Sequence, residues 1–334
     1  MPSELISRAR LSTLLASVRS LRIAVVGDAM LDVYLTGDVE RVSPEAPVPV
    51  VRVRDRRYAL GGAANVAQNV AALGATADLV ATVGSDESAQ RLRDLLTNQG
   101  SESRGLVQVN RPTTTKTRIV ARSQQVVRVD EEIDDDCTSV EIAKLKAAVT
   151  RVVKESDALI LEDYNKGVLV APVIEHAIAA ARKKGIPVVV DPKYRNFFSY
   201  KGATIFKPNR RELEAALGAA VDVEHPQTLP GLVEKLGVEA ILLTLSERGM
   251  ALIEKGATAR KGVHRIPTTA RAVFDVVGAG DTVTAYLAAM LAAGATPLEA
   301  AIIANFAAGV EVGKLGAATV STKEVLAAYD EHGQ

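Results

Sequence analysis

The sequence predicts an α/β fold in which a mainly parallel sheet is covered by helices and carries a smaller, separate sheet. Short apolar runs rich in β-branched residues recur along the chain, mostly separated by helix-length segments, which is typical of βαβ units. Two other regions interleave β-branched residues with Arg and Thr, a pattern that favours half-exposed antiparallel strands. With 334 residues, of which 48% are hydrophobic, the chain is long enough to bury a large core.

The predicted main sheet follows an amphipathic helix over residues 3–20. Its first strand covers residues 21–26 and is closed by Gly27 and Asp28, as in a buried parallel strand. The remaining predicted strands of this sheet are 158–161, 187–190, 203–206 and 240–244. Segments such as 171–184 and 230–236 supply the intervening helices.

The predicted second sheet consists of two antiparallel strand pairs that lie within residues 33–59 and 113–131. The pairs are 33–39 with 48–59, and 115–121 with 125–131. Prolines punctuate the first pair, where they are tolerated only at a sheet edge or in a connection: Pro44, Pro47 and Pro49. We therefore predict one domain, residues 1–334, in which this small sheet forms a lid.

Composition excludes several classes of function. Forty basic and forty acidic residues give no net charge, which argues against nucleic acid or an anionic membrane surface as partner and favours a small neutral or phosphorylated ligand. No apolar stretch reaches the ~18 residues of a membrane span. The single Cys137 and the lack of a secretory signal predict a reducing cytoplasm. Scattered histidines and the absence of a G-x-S-x-G elbow exclude zinc and serine hydrolases.

The most informative string is Asp-Val-Val-Gly-Ala-Gly-Asp-Thr at residues 275–282, directly before an apolar helical run. Glycines at a helix start let an anion approach free N–H groups, so Gly278, Ala279 and Gly280 are a candidate anion hole. The string lacks the Lys of a Walker A loop and the third glycine of a dinucleotide fingerprint. Asp281 either caps the helix or accepts a proton from a hydroxyl that attacks the bound anion.

Two further groups of residues suit the binding of hydroxyls. Gly61 and Gly62 precede a helical segment that carries Asn65, whose amide offers both a donor and an acceptor to a polyol. A tight turn before an ordinary helix explains the same string. Asp28 and Asp32 follow the first strand, at the edge where open parallel sheets bind ligands. They are either hydroxyl ligands or residues of a cap or turn.

Other polar residues follow later strands. Asn209 and Glu212 have the spacing of a capping box, but they also suit the water shell of Mg²⁺, which is often held by one or two carboxylates. Lys166 and Lys193, the latter two residues after Asp191, are candidates for neutralising a substrate phosphate. The alternative for each lysine is a solvated side chain.

In this order, Gly61-Gly62…Asn65, Asn209…Glu212 and Asp275…Asp281 resemble the ribokinase-like (PfkB) family of carbohydrate kinases, over about residues 21–325. The resemblance implies a three-layer α/β/α sandwich with a β-sheet lid, and the use of ATP and Mg²⁺. It implies that Asp281 is the catalytic base beside the 278–280 anion hole. Implied nucleotide contacts are Asn209, Glu212, Thr244, Ser246, Gly249 and Asn305. Implied sugar contacts are Asp32, Gly61, Gly62 and Asn65.

The same resemblance bears on metal ions. It assigns Glu212, through water, and Asp275 to the divalent metal. A monovalent cation that takes backbone oxygens from residues 313–321 is a further expectation.

A narrower resemblance concerns Arg41–Val50, which is similar to the lid segment of D-glycero-β-D-manno-heptose 7-phosphate kinases of lipopolysaccharide biosynthesis. Segments 164–167 and 191–193 are similar to their substrate-side strings, which adds Lys166, Asp191 and Lys193 to the implied substrate contacts. The resemblance implies phosphorylation at O1, giving the 1,7-bisphosphate, and a homodimer built through the lids. We also expect lid arginines such as Arg118 and Arg122 near the substrate phosphate.

Two alternatives stay open at this point. One is a kinase of the same family that acts on a different sugar or sugar phosphate, and the other is a sugar or nucleotide sensor without activity, because fold does not fix function. Many heptose kinases are fused to a C-terminal nucleotidyltransferase. The chain ends at Gln334 and resembles the stand-alone form.

Overall fold

The computed structural model describes residues 6–122, 124–222, 229–258, 261–270 and 272–332. Residues 3–5 of the predicted first helix lie outside these ranges. In chain order the strands are β1 (Arg22–Gly27), β2 (Ala29–Val42), β3 (Pro49–Gly62), β4 (Thr76–Val80), β5 (Thr82–Val83), β6 (Ser101–Glu102), β7 (Val107–Gln108), β8 (Thr115–Ala121), β9 (Gln124–Glu131), β10 (Ala158–Glu162), β11 (Val188–Asp191), β12 (Ile205–Phe206), β13 (Ala240–Thr244), β14 (Met250–Thr258) and β15 (Lys261–Ile266). The α-helices are α1 (Arg8–Ser17), α2 (Ala63–Ala72), α3 (Glu87–Asn98), α4 (Ser139–Glu155), α5 (Ala171–Lys184), α6 (Arg210–Leu217), α7 (Pro230–Leu236), α8 (Ala279–Ala292), α9 (Pro297–Glu311) and α10 (Thr322–His332).

The main sheet has nine strands in the described part of the chain, in the order β15-β14-β13-β12-β11-β10-β1-β4-β6. Neighbouring strands are parallel along the part of this sheet that runs β6-β4-β1-β10-β11-β12-β13. β14 and β15 add an antiparallel edge next to β13. The predicted mainly parallel sheet is confirmed, whereas its strands β4, β6, β14 and β15 were not predicted. Helices α2 and α6 begin at Ala63 and Arg210, a few residues before their predicted starts at 66 and 212.

Consecutive residues of a buried strand enter two different cores. In β1, Ile23 and Val25 belong to the core that contains residues of α1, α2, α3, α8, α9 and α10. Ala24 and Val26 belong to the core that contains residues of α4, α5, α6 and α7. Because side chains alternate across a strand, a run that is apolar at every position must be covered on both faces. The result is the predicted sandwich of helices, sheet and helices. None of the helices in the described ranges has the length and apolar character needed to cross a membrane.

The second sheet, called the lid below, has the strand order β3-β2-β8-β9. The two hairpins β2–β3 and β8–β9 are antiparallel, as predicted, but they are joined through a parallel pairing of β2 with β8 that was not predicted. Pro44 and Pro47 lie in the exposed connection between β2 and β3, and Pro49 is the first residue of β3. The prolines thus occupy the positions that the sequence analysis allowed them.

The lid grows directly from the carboxyl edge of the main sheet. β2 starts two residues after β1 ends, and β3 leads without a break into α2. Asp28, in the link from β1 to β2, is buried and accepts the backbone N–H groups of Tyr164, Lys166 and Val168. These three bonds fix the loop after β10 against the base of the lid. Asp28 is therefore a turn residue rather than a hydroxyl ligand.

Candidate active site

The N-terminus of α8 opens at the carboxyl edge of the main sheet, below the lid. It is preceded by Gly278 with a φ of 99°, and no side chain in the described ranges caps the helix. A Cβ at Gly278 would lie 3.2 Å from Oε1 of Glu311 and 3.2 Å from Ala317, so a side chain here is disfavoured by both conformation and space. Uncapped N–H groups and the positive end of the helix dipole form the kind of anion site that the sequence predicts.

Asp281 is the third residue of α8, and the residue is only 6% exposed. Oδ2 accepts a hydrogen bond from Asn65 Nδ2 at 2.6 Å, and Oδ1 accepts one from the Tyr164 hydroxyl at 3.0 Å. Burial raises the pKa of Asp281 to about 6, against the opposing effect of the Asn65 hydrogen bond. The carboxylate is thus ionised at neutral pH, and the alternative of a helix cap is wrong because Asp281 lies inside the helix and binds side chains of other elements.

Three buried acids meet beside the anion hole. Glu162, Asp191 and Asp281 each offer an oxygen atom, and these atoms lie within 4.8 Å of one another. Both carboxyl oxygens of Glu162 are buried without a hydrogen-bond partner in the described part of the chain. Burial, together with the charges of Asp191 and Asp281, raises the pKa of Glu162 well above its usual value.

Lys207 supplies a positive charge to the same place. Its Nζ lies 2.7 Å from Oδ2 of Asp191, and a Cβ built on Gly280 would lie 3.7 Å from Nζ. Burial opposes the charged form, but Asp191 and Glu162 outweigh this effect and raise the pKa of Lys207. A fully charged ammonium group therefore lies against the anion hole.

A cavity of about 530 Å³ extends from the start of α8 along the carboxyl ends of β11 to β13. Its volume is in the range of small-molecule sites. It is lined by the anion hole, by Asp191 and Lys193, and by all six residues predicted to contact a nucleotide: Asn209, Glu212, Thr244, Ser246, Gly249 and Asn305.

Asn209 and Glu212 form a complete capping box at the start of α6. Asn209 Oδ1 accepts the backbone N–H of Glu212 at 2.9 Å, and Glu212 Oε2 accepts that of Asn209 at 2.8 Å. Glu212 also forms an ion pair with Lys193. The structural explanation of this spacing is correct, and any part in holding Mg²⁺ stays a prediction.

The acids suit a divalent cation at a different place from the one predicted. Neither Glu212 nor Asp275 belongs to the acidic cluster found within the described ranges. Asp275 accepts the backbone N–H groups of Val277 and Gly316 in the loop before α8. Carboxylate oxygens are ligands that Mg²⁺ prefers, and the orphaned oxygens of Glu162 leave coordination capacity in the cluster, so the donor set fits this metal.

The residues predicted to bind sugar hydroxyls lie where β2, β3 and α2 meet. Asp32 Oδ1 accepts a hydrogen bond from Arg118 at 2.5 Å, and a Cβ at Gly61 would lie 2.8 Å from Asp32 Oδ2. Gly62 has a φ of 56°, and its missing side chain lets the backbone pass the Asp28 carbonyl. The Oδ1 atom of Asn65 is buried and has no partner among the described residues, so it is available to a hydroxyl donor.

The two predicted phosphate-binding lysines already face carboxylates. Lys166 Nζ lies 2.6 Å from Glu132 Oε1, in the segment that follows the lid, and Lys193 pairs with Glu212 while its ammonium stands 5.2 Å from the Tyr164 ring centre. A phosphate at either lysine must compete with that partner. Arg122, also predicted near the phosphate, lies at the β8–β9 turn with a φ of 49°.

Three residues of this site had no role in the sequence analysis: Tyr164, Lys207 and Glu162. All three follow or end strands that run parallel, so their place at the carboxyl edge was a usable signal. Residue type alone gave no such signal.

The sequence profile described as "pfkB family carbohydrate kinase" matches residues 20–324. The chain belongs to the pfkB family of carbohydrate kinases. It is accordingly a phosphotransferase with a sugar hydroxyl as acceptor. Its relatives include the "Bifunctional protein HldE" of Gluconacetobacter diazotrophicus, 47% identical over 92% of this chain, and that of Rhodospirillum rubrum, 43% identical over 96%. The chain spans 63% and 64% of the length of these two relatives.

Solved structures of the pfkB fold superpose on nearly the whole chain. Ribokinase of Arabidopsis thaliana, complexed with ribose and ATP, has a TM-score of 0.73 at 21% identity and covers 93% of this chain and 99% of its own. Phosphofructokinase-2 of Escherichia coli, in complex with potassium, has a TM-score of 0.76 at 18% identity, with 94% and 99% covered. At these identities the likeness establishes the ribokinase-like fold.

Proposed function

We propose that this chain is an ATP-dependent, Mg²⁺-dependent kinase that phosphorylates O1 of D-glycero-β-D-manno-heptose 7-phosphate. The product is the heptose 1,7-bisphosphate, an intermediate of ADP-heptose and lipopolysaccharide biosynthesis. The observation that carries the chemistry is a buried, ionised Asp281 on the uncapped N-terminus of α8, between the large cavity and the lid.

Asp281 accepts the proton of the sugar 1-OH as that oxygen attacks the γ-phosphorus of ATP in line. The bond from phosphorus to the β,γ-bridging oxygen breaks, and ADP leaves. Asn65 and Tyr164 hold the carboxylate in place through their hydrogen bonds at 2.6 and 3.0 Å. Such a positioned base contributes about 10²–10⁴-fold to the rate.

The negative charge of the transferring phosphoryl group lies at the start of α8. Backbone N–H groups, the helix dipole and the Lys207 ammonium stabilise it there, since phosphoryl transfer depends mainly on positioning and electrostatics. Mg²⁺, when bound, supplies further positive charge to the phosphate oxygens. Asp191 and Glu162 of the acidic cluster, and Glu212 through water, are the residues that would hold it. The lid shields the site from water, which competes with the sugar as acceptor.

Two observations favour the heptose over other sugars. The exposed hairpin segment Arg41–Val50 resembles the lid segment of heptose 7-phosphate kinases, and relatives named HldE are 43–47% identical to the chain. Asp32 and the free Oδ1 of Asn65 would then bind sugar hydroxyls. The cytoplasmic location, the single-domain organisation and a supporting monovalent cation stay predictions.

The decisive assay measures ATP consumption across a panel of sugars and sugar phosphates, with the phosphorylated oxygen identified by ³¹P NMR. We expect the highest kcat/KM with the heptose 7-phosphate and a new anomeric phosphate. A preference for fructose 6-phosphate, ribose or adenosine would assign the chain to another branch of the family. ATP binding without turnover on any sugar would favour the alternative that the chain is a sugar or nucleotide sensor without activity.

Asp281→Asn tests the catalytic base in the same assay. The variant should lose about 10²–10⁴-fold in kcat, because the amide cannot accept the proton, while the dissociation constant of ATP stays close to that of the wild type. Asp94→Asn is the matched control, since it makes the same change at an exposed position of α3, where the carboxylate accepts a hydrogen bond from Gln90. Wild-type turnover in Asp281→Asn would refute the assignment.

We also propose that two copies associate through their lids. The face of the lid that carries Leu35 and Ile119 continues on β9 with Val127 and Val129, which are 45% and 46% exposed. β3 and β9 are edge strands, and a second copy would cover this apolar surface. Sedimentation should show a dimer, and Val127→Lys with Val129→Lys should shift it to monomer. A wild-type monomer at micromolar concentration would contradict the proposal.

A further inference from the structure

Four side chains of the lid form a row across the sheet at one register position. Tyr34 on β2 pairs directly with Arg57 on β3 and with Arg118 on β8, and Arg118 pairs directly with Arg128 on β9. We call these residues the arginine row. The Arg57 and Arg118 guanidinium carbons stand 4.7 and 5.3 Å from the centre of the Tyr34 ring.

The row concentrates positive charge in a way that an ordinary sheet avoids. Like charges directly opposite each other on neighbouring strands are destabilising, and here Arg118 faces Arg128. The neighbouring register position, by contrast, alternates in sign across Asp32, Lys116 and Asp130. The two positions together hold four cations and two carboxylates.

Most of these cations form ion pairs with the carboxylates, and one arginine has no carboxylate partner among the described residues. Asp32 pairs with Arg118, and Asp130 pairs with both Lys116 and Arg128. Glu132, which follows the lid, pairs with Lys116 and with Lys166. Arg57 is exposed and has no carboxylate at ion-pair distance within the described ranges. With Lys166 and Glu132 included, this surface holds five cations and three carboxylates. The excess of two positive charges matches the charge of a phosphate monoester at neutral pH, about −1.5 to −2.

The row lies on the face of the lid that is directed toward the active site. Asp32, two residues before Tyr34, is on the same face and touches the position of the missing Gly61 side chain. At the other end of the row, an Arg57 terminal nitrogen lies 3.8 Å from where a Cβ on Gly316 would be, in the loop bound to Asp275. The row thus lies between Asp32 and the loop that Asp275 binds before the anion hole.

We propose that the arginine row binds the phosphate of the sugar substrate that is not transferred. The inference rests on the proposed function, because it assumes a phosphorylated sugar as acceptor. Arg118, nearest to Asp32, donates to this phosphate, Arg57 and Arg128 add charge from its two sides, and the Tyr34 ring sets the spacing of the guanidinium groups. Lys166 and Lys193, like Arg118 and Arg128, each have a carboxylate partner. The row is favoured over the two lysines because it brings several cations together and because Arg57 has no carboxylate partner among the described residues.

The test uses Arg57→Gln, Arg128→Gln and the double variant, because neither arginine holds Asp32. The control is Arg56→Gln, which makes the same change one residue away, on the opposite face of β3, where Arg56 lines a separate cavity with Tyr58. The readouts are KM and kcat for heptose 7-phosphate, KM for ATP, and the unfolding temperature of each variant.

We expect KM for the sugar phosphate to rise about 10- to 100-fold in the double variant, which is the range for losing hydrogen bonds to a charged group. Arg57 and Arg128 are not among the described residues that line the nucleotide cavity or bond to Asp281, so kcat and the KM for ATP should stay within about twofold. Raising the ionic strength should raise KM for the sugar phosphate in the wild type more than in the double variant.

The outcomes separate this inference from the proposed function. An unchanged KM in the double variant, with heptose 7-phosphate turned over by the wild type, overturns the inference and leaves the function standing. Preference for a different phosphorylated sugar, with a KM that depends on the row, overturns the heptose assignment and supports the inference. Equal loss in Arg56→Gln, or preference for an unphosphorylated sugar, overturns the inference.

Discussion

At the scale of single residues, Tyr164 shows how the site sets the chemistry of its central acid. The Tyr164 hydroxyl donates to Asp281, while the Asn65 amide donates to the other carboxylate oxygen. Both bonds favour the ionised form and so limit the rise in pKa that burial causes. The acid remains a base that is available at neutral pH.

Tyr164→Phe should shift the acidic limb of the pH profile of kcat/KM upward from about pH 6. The variant loses a hydrogen bond that lowers the pKa of Asp281 but keeps the ring beside Lys193, so activity should fall most below pH 7 and least at pH 8. The substrate phosphate also titrates near pH 6, but equally for both proteins. A variant profile that coincides with the wild type, or that moves to lower pH, would contradict this role.

At the scale of elements, the start of α8 depends on a glycine at one position. Gly278 has a left-handed conformation and lies against Glu311 and Ala317, whose chain segment supports the anion hole from behind. Gly294, after the end of the same helix, has a φ of 85° but open space around it. A comparison of substitutions at these two glycines therefore separates the effect of conformational strain from the effect of crowding.

Gly278→Ala and Gly294→Ala should both destabilise the protein by about 1–2 kcal/mol through left-handed strain. Only Gly278→Ala should also displace the anion hole, with a loss in kcat of about 10²-fold, the cost of one misplaced donor. Denaturant unfolding and steady-state kinetics measure the two effects. Equal kcat values in the two variants would show that the Gly278 position does not control the hole.

Elements with a local sequence pattern could be predicted from the sequence. Elements whose formation depends on buried charges or on partners far along the chain could not. Helix α5 was predicted at its observed bounds because Ala171–Lys184 is amphipathic and followed by glycine. Strand β4 was missed because Asp78 interrupts its apolar run. That acid is buried and is paired by Arg22 and Arg104, which come from other parts of the chain.

The site shows the same limit. Its glycine strings were recognisable because a helix start has a local signature, and the six predicted nucleotide contacts do line one cavity. Lys207 and Glu162 gained a role only when β10, β11 and β12 brought their ends together. The pairing of β2 with β8 decides which lid arginines share a face, and no local pattern encodes it.

At the scale of the whole molecule, buried acids make stability depend on pH. Burial, with Asp275 and Asp281 nearby, raises the pKa of Glu311 to about 8, and burial raises that of Asp163 to about 6. The pKa values of some surface acids are lowered instead, because hydrogen bonds from arginine lower the pKa of Asp330 and Glu299. The native state thus holds protons at neutral pH that the unfolded chain releases.

The free energy of unfolding should therefore be highest near about pH 5 and fall toward pH 8. Groups with a raised pKa contribute stability that is lost as the pH rises through their folded values, and those with a lowered pKa contribute stability that is lost below about pH 4. Denaturant unfolding across this range checks the curve. Glu311→Gln should flatten its decline between pH 6 and 8, and a slope unchanged by that substitution would contradict the argument.

The parallel pairing of β2 with β8 in the lid bears on the order in which the elements fold. Leu31 pairs with Thr115, far along the chain, and β4, α3 and β6 lie between them. Closing so long a loop costs entropy that is recovered only after the intervening elements have folded. The β8–β9 hairpin therefore docks late, after the adjoining part of the main sheet. An element that docks late is also expected to open with the smallest free energy. Amide hydrogens of β8 and β9 should therefore exchange well before those of β1 and β10.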